Sequence, residues 1–177
     1  SPRDITYKYF FNRKVAFIKE ACAVALFPGG FGTLDEAMET LTLLQTGKRY
    51  PLPVVLIDRP GDGYWSGWRG FMEDQLASAG YIGPVDGAFF HHAHAVDDAV
   101  AFIIGFYRRF HSLRFVGGKT VIRMATGLSE PDVDRLQEEF ADILMEGGGF
   151  CRSGPLPKEC DEPELAVAPG QSAVFYD

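Results

Sequence analysis

The chain has 177 residues, 46% of them apolar, and its 17 basic against 24 acidic side chains give a net charge of −7. Those values suit one ordinary globular domain with one main core, and the acidic balance, without a basic stripe or a block of like charge, argues against nucleic acid or an anionic membrane as a partner. Cys22, Cys151 and Cys160 lack paired Cys/His spacing and fit unreactive thiols in a reducing cytoplasm, while no apolar run reaches the length of a membrane span and the start "SPRDITYKYFF" has no signal-peptide cleavage pattern.

In chain order, Phe11, Val15, Ile18 and Cys22 fall at helical spacing and predict a helix over about Asn12 to Ala21. "AVALF", Ala23 to Phe27, is a short continuous apolar run and predicts a buried parallel strand ending in a tight Pro-Gly-Gly turn. Leu34, Ala37, Met38, Leu41 and Leu44 then predict a helix to about Thr46, with Gly47 as its C-terminal cap. "PVVLID", Pro53 to Asp58, repeats the strand signature. Trp65, Trp68, Phe71, Met72 and Leu76 lie in helical register despite the glycines among them. "GAFFHHAHA" is a weaker strand, and "DDAVAFIIGFYRRFH" is a helix with acidic residues first and basic residues last, as the helix dipole favours. Alternation of this kind predicts an α/β fold, a parallel sheet with helices on its faces and right-handed crossovers.

Beyond about Ser112 the pattern changes. "LRFVGGKTVIRMA" reads as two strands about a Gly-Gly turn, and "SEPDVDRLQEEFADILMEGGG" as an amphipathic helix capped by Ser129 and Asp132 and stopped by Gly147 to Gly149. A Pro-rich connector and a last strand in "QSAVFYD" complete a small α+β appendage. The expected organisation is therefore residues 1–111 for the parallel-sheet domain and 112–177 for the appendage.

The stretch "FPGGFGTLDEAMETL" carries the chemistry. It lies at the carboxyl end of a predicted parallel strand, where open α/β sheets bind ligands. Gly29, Gly30 and Gly32 are expected to allow positive φ and close approach of a ligand, with the N–H groups of the next helix as donors; an anion is the natural occupant and a plain tight turn the alternative. The spacing matches neither a Walker loop nor a full G-x-G-x-x-G fingerprint. Thr33 to Glu36 reads as a capping box. Asp35, Glu36 and Glu39 would repel an anion at this helix end unless a cation compensates, and Arg13 or Lys14 is the candidate.

"PGGFGTLDE" resembles the PGGxGTxxE signature of the LONELY GUY family, cytokinin-activating phosphoribohydrolases and their bacterial relatives, often mislabelled lysine decarboxylases. "RKVAF" resembles the arginine-bearing segment that accompanies it, and "YKYFFNRKVAFIKEA", "LTLLQTGK" and "YWSGW" are similar to the longer bacterial members, which include nucleoside 5′-monophosphate nucleosidases. The resemblance covers about Ile5 to His111. It implies a Rossmann-like fold, incomplete at its N-terminus because the family's earlier strands would precede this sequence, and a C-terminal part of a longer protein. It further implies a homodimer that hydrolyses a nucleoside 5′-monophosphate, with Gly29, Gly30, Gly32 and Thr33 holding the 5′-phosphate and Arg13 and Glu36 serving catalysis.

No cofactor is expected: nothing in the sequence marks a Schiff-base lysine with a pyridoxal-phosphate site, which speaks against the decarboxylase label. No metal is expected either, because alternating His91, His92 and His94 on a strand would face opposite sides. Trp65 and Trp68 read as core residues, with base stacking as the alternative. A non-catalytic nucleotide or cofactor carrier is the competing reading of the whole chain.

Overall fold

The structure is a computed structural model that describes residues 8–116, 119–144, 147–154 and 172–176. Contacts divide the chain into two compact units that meet between Ile103 and Ile104.

In the first unit, helix α1 (Phe10–Glu20) leads into strand β1 (Val24–Leu26), helix α2 (Phe31–Gln45) and strand β2 (Val54–Ile57). Helix α3 (Tyr64–Phe71) continues as a π-helical turn (Met72–Ala77); a 3-10 turn (Asp86–Phe89), strand β3 (His91–Ala93) and helix α4 (Val96–Arg109), whose residues from Ile104 belong to the second unit, follow. The strands are parallel in the order β1-β2-β3, with Leu26 opposite Leu56 and Leu56 opposite His92. Short runs of Val, Leu and Ile form strands here because both faces of β2 are covered, so every residue from Val54 to Ile57 is buried.

Period-two alternation sends successive side chains to two separate cores. Val24, Leu26, Val54 and Leu56 pack with Ala37 of α2 and Trp65 of α3, while Val55 and Ile57 pack with Ala93 and Ala99. Trp68 joins the first core at its edge, so both tryptophans are core residues as expected. The α1 stripe is only partly covered: Ile18 is buried, but Val15 and Cys22 are exposed, because no described element lies over that part of the helix.

The second unit contains strands β4 (Phe110–Val116) and β5 (Lys119–Met124), helix α5 (Glu130–Glu139), and strands β6 (Cys151–Ser153) and β7 (Ser172–Tyr176). They form an antiparallel sheet in the order β4-β5-β7-β6. Ser129 caps α5 in a capping box with Asp132, whose carboxyl is held below its ordinary range by hydrogen bonds from the Ser129 side chain and backbone. The glycines at 147–149 do not stop this helix as the sequence suggested; it ends at Glu139, with Phe140 at its C-cap and a 3-10 turn at Ala141–Ile143. The Gly117-Gly118 turn, most of the Pro-rich connector and Cys160 lie outside the described residues.

Leu56 is fully buried in the centre of the first core. Leu56→Ala is expected to cost about 2–5 kcal/mol of unfolding free energy, read from urea denaturation.

Candidate active site

The loop from β1 to α2 is tighter than the sequence implied. Gly30 is the N-cap of α2, with φ −88° and ψ −157°, and Phe31, not Leu34, opens the helix. None of Gly29, Gly30 and Gly32 takes a positive φ, contrary to expectation; the described glycines that do are Gly47, Gly61, Gly80 and Gly147.

The requirement for glycine is steric at one position and concerns access at the other two. A Cβ on Gly29 would lie 2.2 Å from Thr33 Oγ1 and 3.0 Å from Thr33 Cβ, so the threonine side chain occupies the space that any other residue at 29 would fill. At Gly30 and Gly32 a Cβ would meet nothing within 4 Å. There the missing side chains leave backbone open to approach from outside. Thr33 N and Leu34 N both donate to Gly30 O, at 3.0 and 3.3 Å. The N–H groups of Gly30, Phe31 and Gly32 precede these first bonds and have no intrahelical acceptor by construction, which makes the helix start a source of donors and positive dipole.

The capping-box reading of Thr33 and Glu36 fails on the same geometry. Gly30 caps the helix without any side-chain bond, and Thr33 stands inside the first turn, so Glu36 is not placed to bond an N-cap amide. Glu36 is instead half-buried, and its Oε2 is buried with no hydrogen-bond partner among the described residues. A buried, unpartnered carboxylate oxygen is costly, and such groups persist where function requires them.

Lys14 supplies the compensating cation. Its Nζ lies 2.6 Å from Asp35 Oδ2 and 2.7 Å from Glu39 Oε2, joining α1 to the first half of α2. The hydrogen bond that Lys14 donates to Asp35, then the one it donates to Glu39, raise the lysine's pKa well above its ordinary value. Two of the three carboxylates are thereby engaged, and Glu36 between them is not. Arg13, adjacent to Lys14 on α1, is exposed.

Two further contacts escaped the sequence reading. The Tyr64 hydroxyl, at the start of α3, donates to the Gly29 carbonyl at 2.7 Å. Asp58, immediately after β2, accepts from the Trp65 amide at 3.0 Å and lies 2.8 Å from His92 Nε2. Burial pushes the Asp58 carboxyl up, but bonds from the Trp65 amide, His92 and the Ser66 amide together hold it below its ordinary value. A carboxylate at the carboxyl end of a buried strand was the available signal for Asp58. Tyr64 gave none, since its partner is a backbone carbonyl 35 residues away.

His91 pairs with Asp98 and stacks on Phe102, His92 pairs with Asp58, and the His94 ring lies 4.5 Å from that of His92. Among the described residues no three His, Cys, Asp or Glu side chains gather as metal ligands, and no helix is long and apolar enough to cross a membrane. A cavity of about 700 Å³ opens elsewhere in this unit, between Met38, Leu41 and Gln45 of α2 and Met72, Leu76 and Phe90. Its walls include neither the glycine loop nor Glu36.

Residues 3–103, more than half of the chain, match the sequence model of a family described as "Possible lysine decarboxylase". The chain belongs to this family, the LONELY GUY family. It is similar to a probable cytokinin riboside 5′-monophosphate phosphoribohydrolase of Oryza sativa subsp. japonica, 36% identical over 73 residues that make up 41% of this chain and 33% of the relative. Two cytokinin riboside 5′-monophosphate phosphoribohydrolases of Arabidopsis thaliana are 34% identical over 75 residues and 36% identical over 73, covering 42% and 41% of this chain and 32% of each relative. The matched region thus spans about a third of the length of these family members. The Rossmann-like α/β fold expected of the family is present in the parallel three-stranded sheet and its flanking helices.

Gly29→Ala and Gly30→Ala separate the two roles of glycine. The first is expected to cost about 1–3 kcal/mol in denaturation because Thr33 must move, and the second to stay within about 0.5 kcal/mol of wild type. Asp58 gives a pH signature. Its carboxyl is depressed in the folded state, so its contribution is complete above the unfolded value of 3.8 and is lost as pH falls through the lower folded value. Asp58→Asn should therefore lower stability near neutrality and flatten its decline between about pH 5 and pH 2, measured by urea denaturation across that range.

Proposed function

We propose that the protein hydrolyses the N-glycosidic bond of a nucleoside 5′-monophosphate, releasing the free base and ribose 5-phosphate. The observation that carries this reading is the buried, unpartnered Oε2 of Glu36 beside a helix start with open backbone donors. Family membership and the printed activity of the relatives support it.

The 5′-phosphate would sit against the N–H groups of Gly30, Phe31 and Gly32, beside the Thr33 side chain, with Gly29 providing the space that Thr33 fills. Its binding energy would orient the ribose against Glu36. As the base departs with the bonding electron pair, positive charge grows at the anomeric carbon, and the Glu36 carboxylate stabilises it. Water then gives its hydroxide to the anomeric carbon and a proton to the base. The engagement of Lys14 with Asp35 and Glu39 offsets their repulsion of phosphate and leaves Glu36 outside that ion-pair network. Arg13 is assigned to the phosphate or to the charge balance around Glu36.

Lysine decarboxylation fits this site poorly. A Schiff-base lysine must be available as a neutral amine, whereas Lys14, the lysine that pairs with α2, is held as an ammonium by Asp35 and Glu39. The protein is also assigned as a homodimer, for which exposed Val15, Phe17 and Phe31 offer apolar surface. Light scattering should give twice the protomer mass; a monomer would count against the dimer.

Glu36→Gln removes the charge and keeps the shape. Turnover of AMP, GMP or CMP is expected to fall about a hundredfold or more in kcat, with stability changed by about 1 kcal/mol or less. Retained turnover would remove Glu36 from the chemistry, and binding of intact nucleotide without cleavage by wild type would make the protein a carrier.

A further inference from the structure

We propose that Tyr64 is a positioning residue for the phosphate loop, acting through the Gly29–Gly30 peptide plane. This rests on the nucleotide reading above for its substrate, and on the structure alone for its mechanism.

A peptide unit between two glycines has no side chain to resist rotation of the whole plane about its flanking φ and ψ angles. In a trans peptide the carbonyl of one residue and the N–H of the next point in opposite directions. The described chain contains no cis peptide bond. Whatever fixes the Gly29 carbonyl therefore fixes the Gly30 N–H on the opposite side.

The Tyr64 hydroxyl does this with a 2.7 Å bond to Gly29 O. The same bond holds the carbonyl, a negative dipole end, away from the direction in which Gly30 N–H points. Thr33 limits the loop from the other side by filling the Gly29 Cβ space. Tyr64 is itself held from both directions. Its ring stands edge-to-face with Trp65 at 4.8 Å and packs on the first core, and the next amide, Trp65 N–H, is bonded to buried Asp58. The chain of restraint runs from the buried end of β2, through the first turn of α3, to the loop that begins α2. Freed from it, the plane could rotate and turn the Gly29 carbonyl toward the phosphate.

Tyr64→Phe keeps the ring and removes only the hydroxyl, so a thermal melt close to wild type is expected. Tyr81→Phe, which removes an exposed hydroxyl outside these contacts, serves as the control. In ligand-free protein the Gly30 amide resonance should shift and its hydrogen exchange accelerate in Tyr64→Phe, with the β2 amides unchanged. In steady-state assays KM for AMP and the inhibition constant of ribose 5-phosphate should rise about three- to tenfold, the worth of one such hydrogen bond, while kcat stays within about twofold. An unmoved Gly30 amide, or an unchanged KM and inhibition constant, overturns the proposal. A loss in kcat alone also overturns it, since that would place Tyr64 in the chemistry. Wild type that neither cleaves nor binds AMP would instead remove the nucleotide reading, and the Gly30 amide would still decide whether Tyr64 holds the loop.

Discussion

Lys14 stands between two demands that conflict at the start of α2. A helix N-terminus with open amides attracts anions, and carboxylates in the first turns repel them; both are present within the nine residues from Phe31 to Glu39. The lysine answers this from a different helix, and it does so at ion-pair distance with two of the carboxylates. Helix α1 is thereby tied to the half of α2 that matters for the site. The placement of Arg13 follows, because it neighbours Lys14 on the same helix. So does the isolation of Glu36, the acid between the two that Lys14 engages.

The parallel sheet was legible because its signals are local and strong. "AVALF" and "PVVLI" are apolar on both faces, which in a short run bounded by turn residues leaves few alternatives to a buried parallel strand. Ser129 with Asp132 was equally legible, since a capping box is closed within four residues. Helix boundaries fared less well. Apolar periodicity begins at Leu34, but the helix begins at Phe31, because Phe31 and Gly32 can extend a helix although neither contributes to its buried stripe. At the other end of the chain, α5 stops at Glu139 without waiting for a glycine, its last amide bond closing on Leu136 at Phe140.

The candidate site was legible in its composition and misread in its mechanics. Three glycines around a helix start drew attention to this loop, yet what they provide is space and access and not left-handed backbone. T-x-x-E was read as a cap because the motif alone does not reveal that the helix starts two residues before the threonine. Contacts to backbone carbonyls, such as that of Tyr64 on Gly29, leave no pattern in a sequence, since every residue offers the same acceptor.

The π-helical turn at Met72–Ala77 has a consequence for the cavity that it borders. Each turn closed by an i→i+5 bond holds one residue more than its α-helical counterpart. Met72, Glu73, Leu76 and Ala77 of this turn stand together in the cavity wall. The segment continues α3 with a wider ladder over these six residues and then ends at Ser78. Of these six residues four line the cavity and only Met72 is buried, so the wider turn is spent on the cavity wall more than on the core.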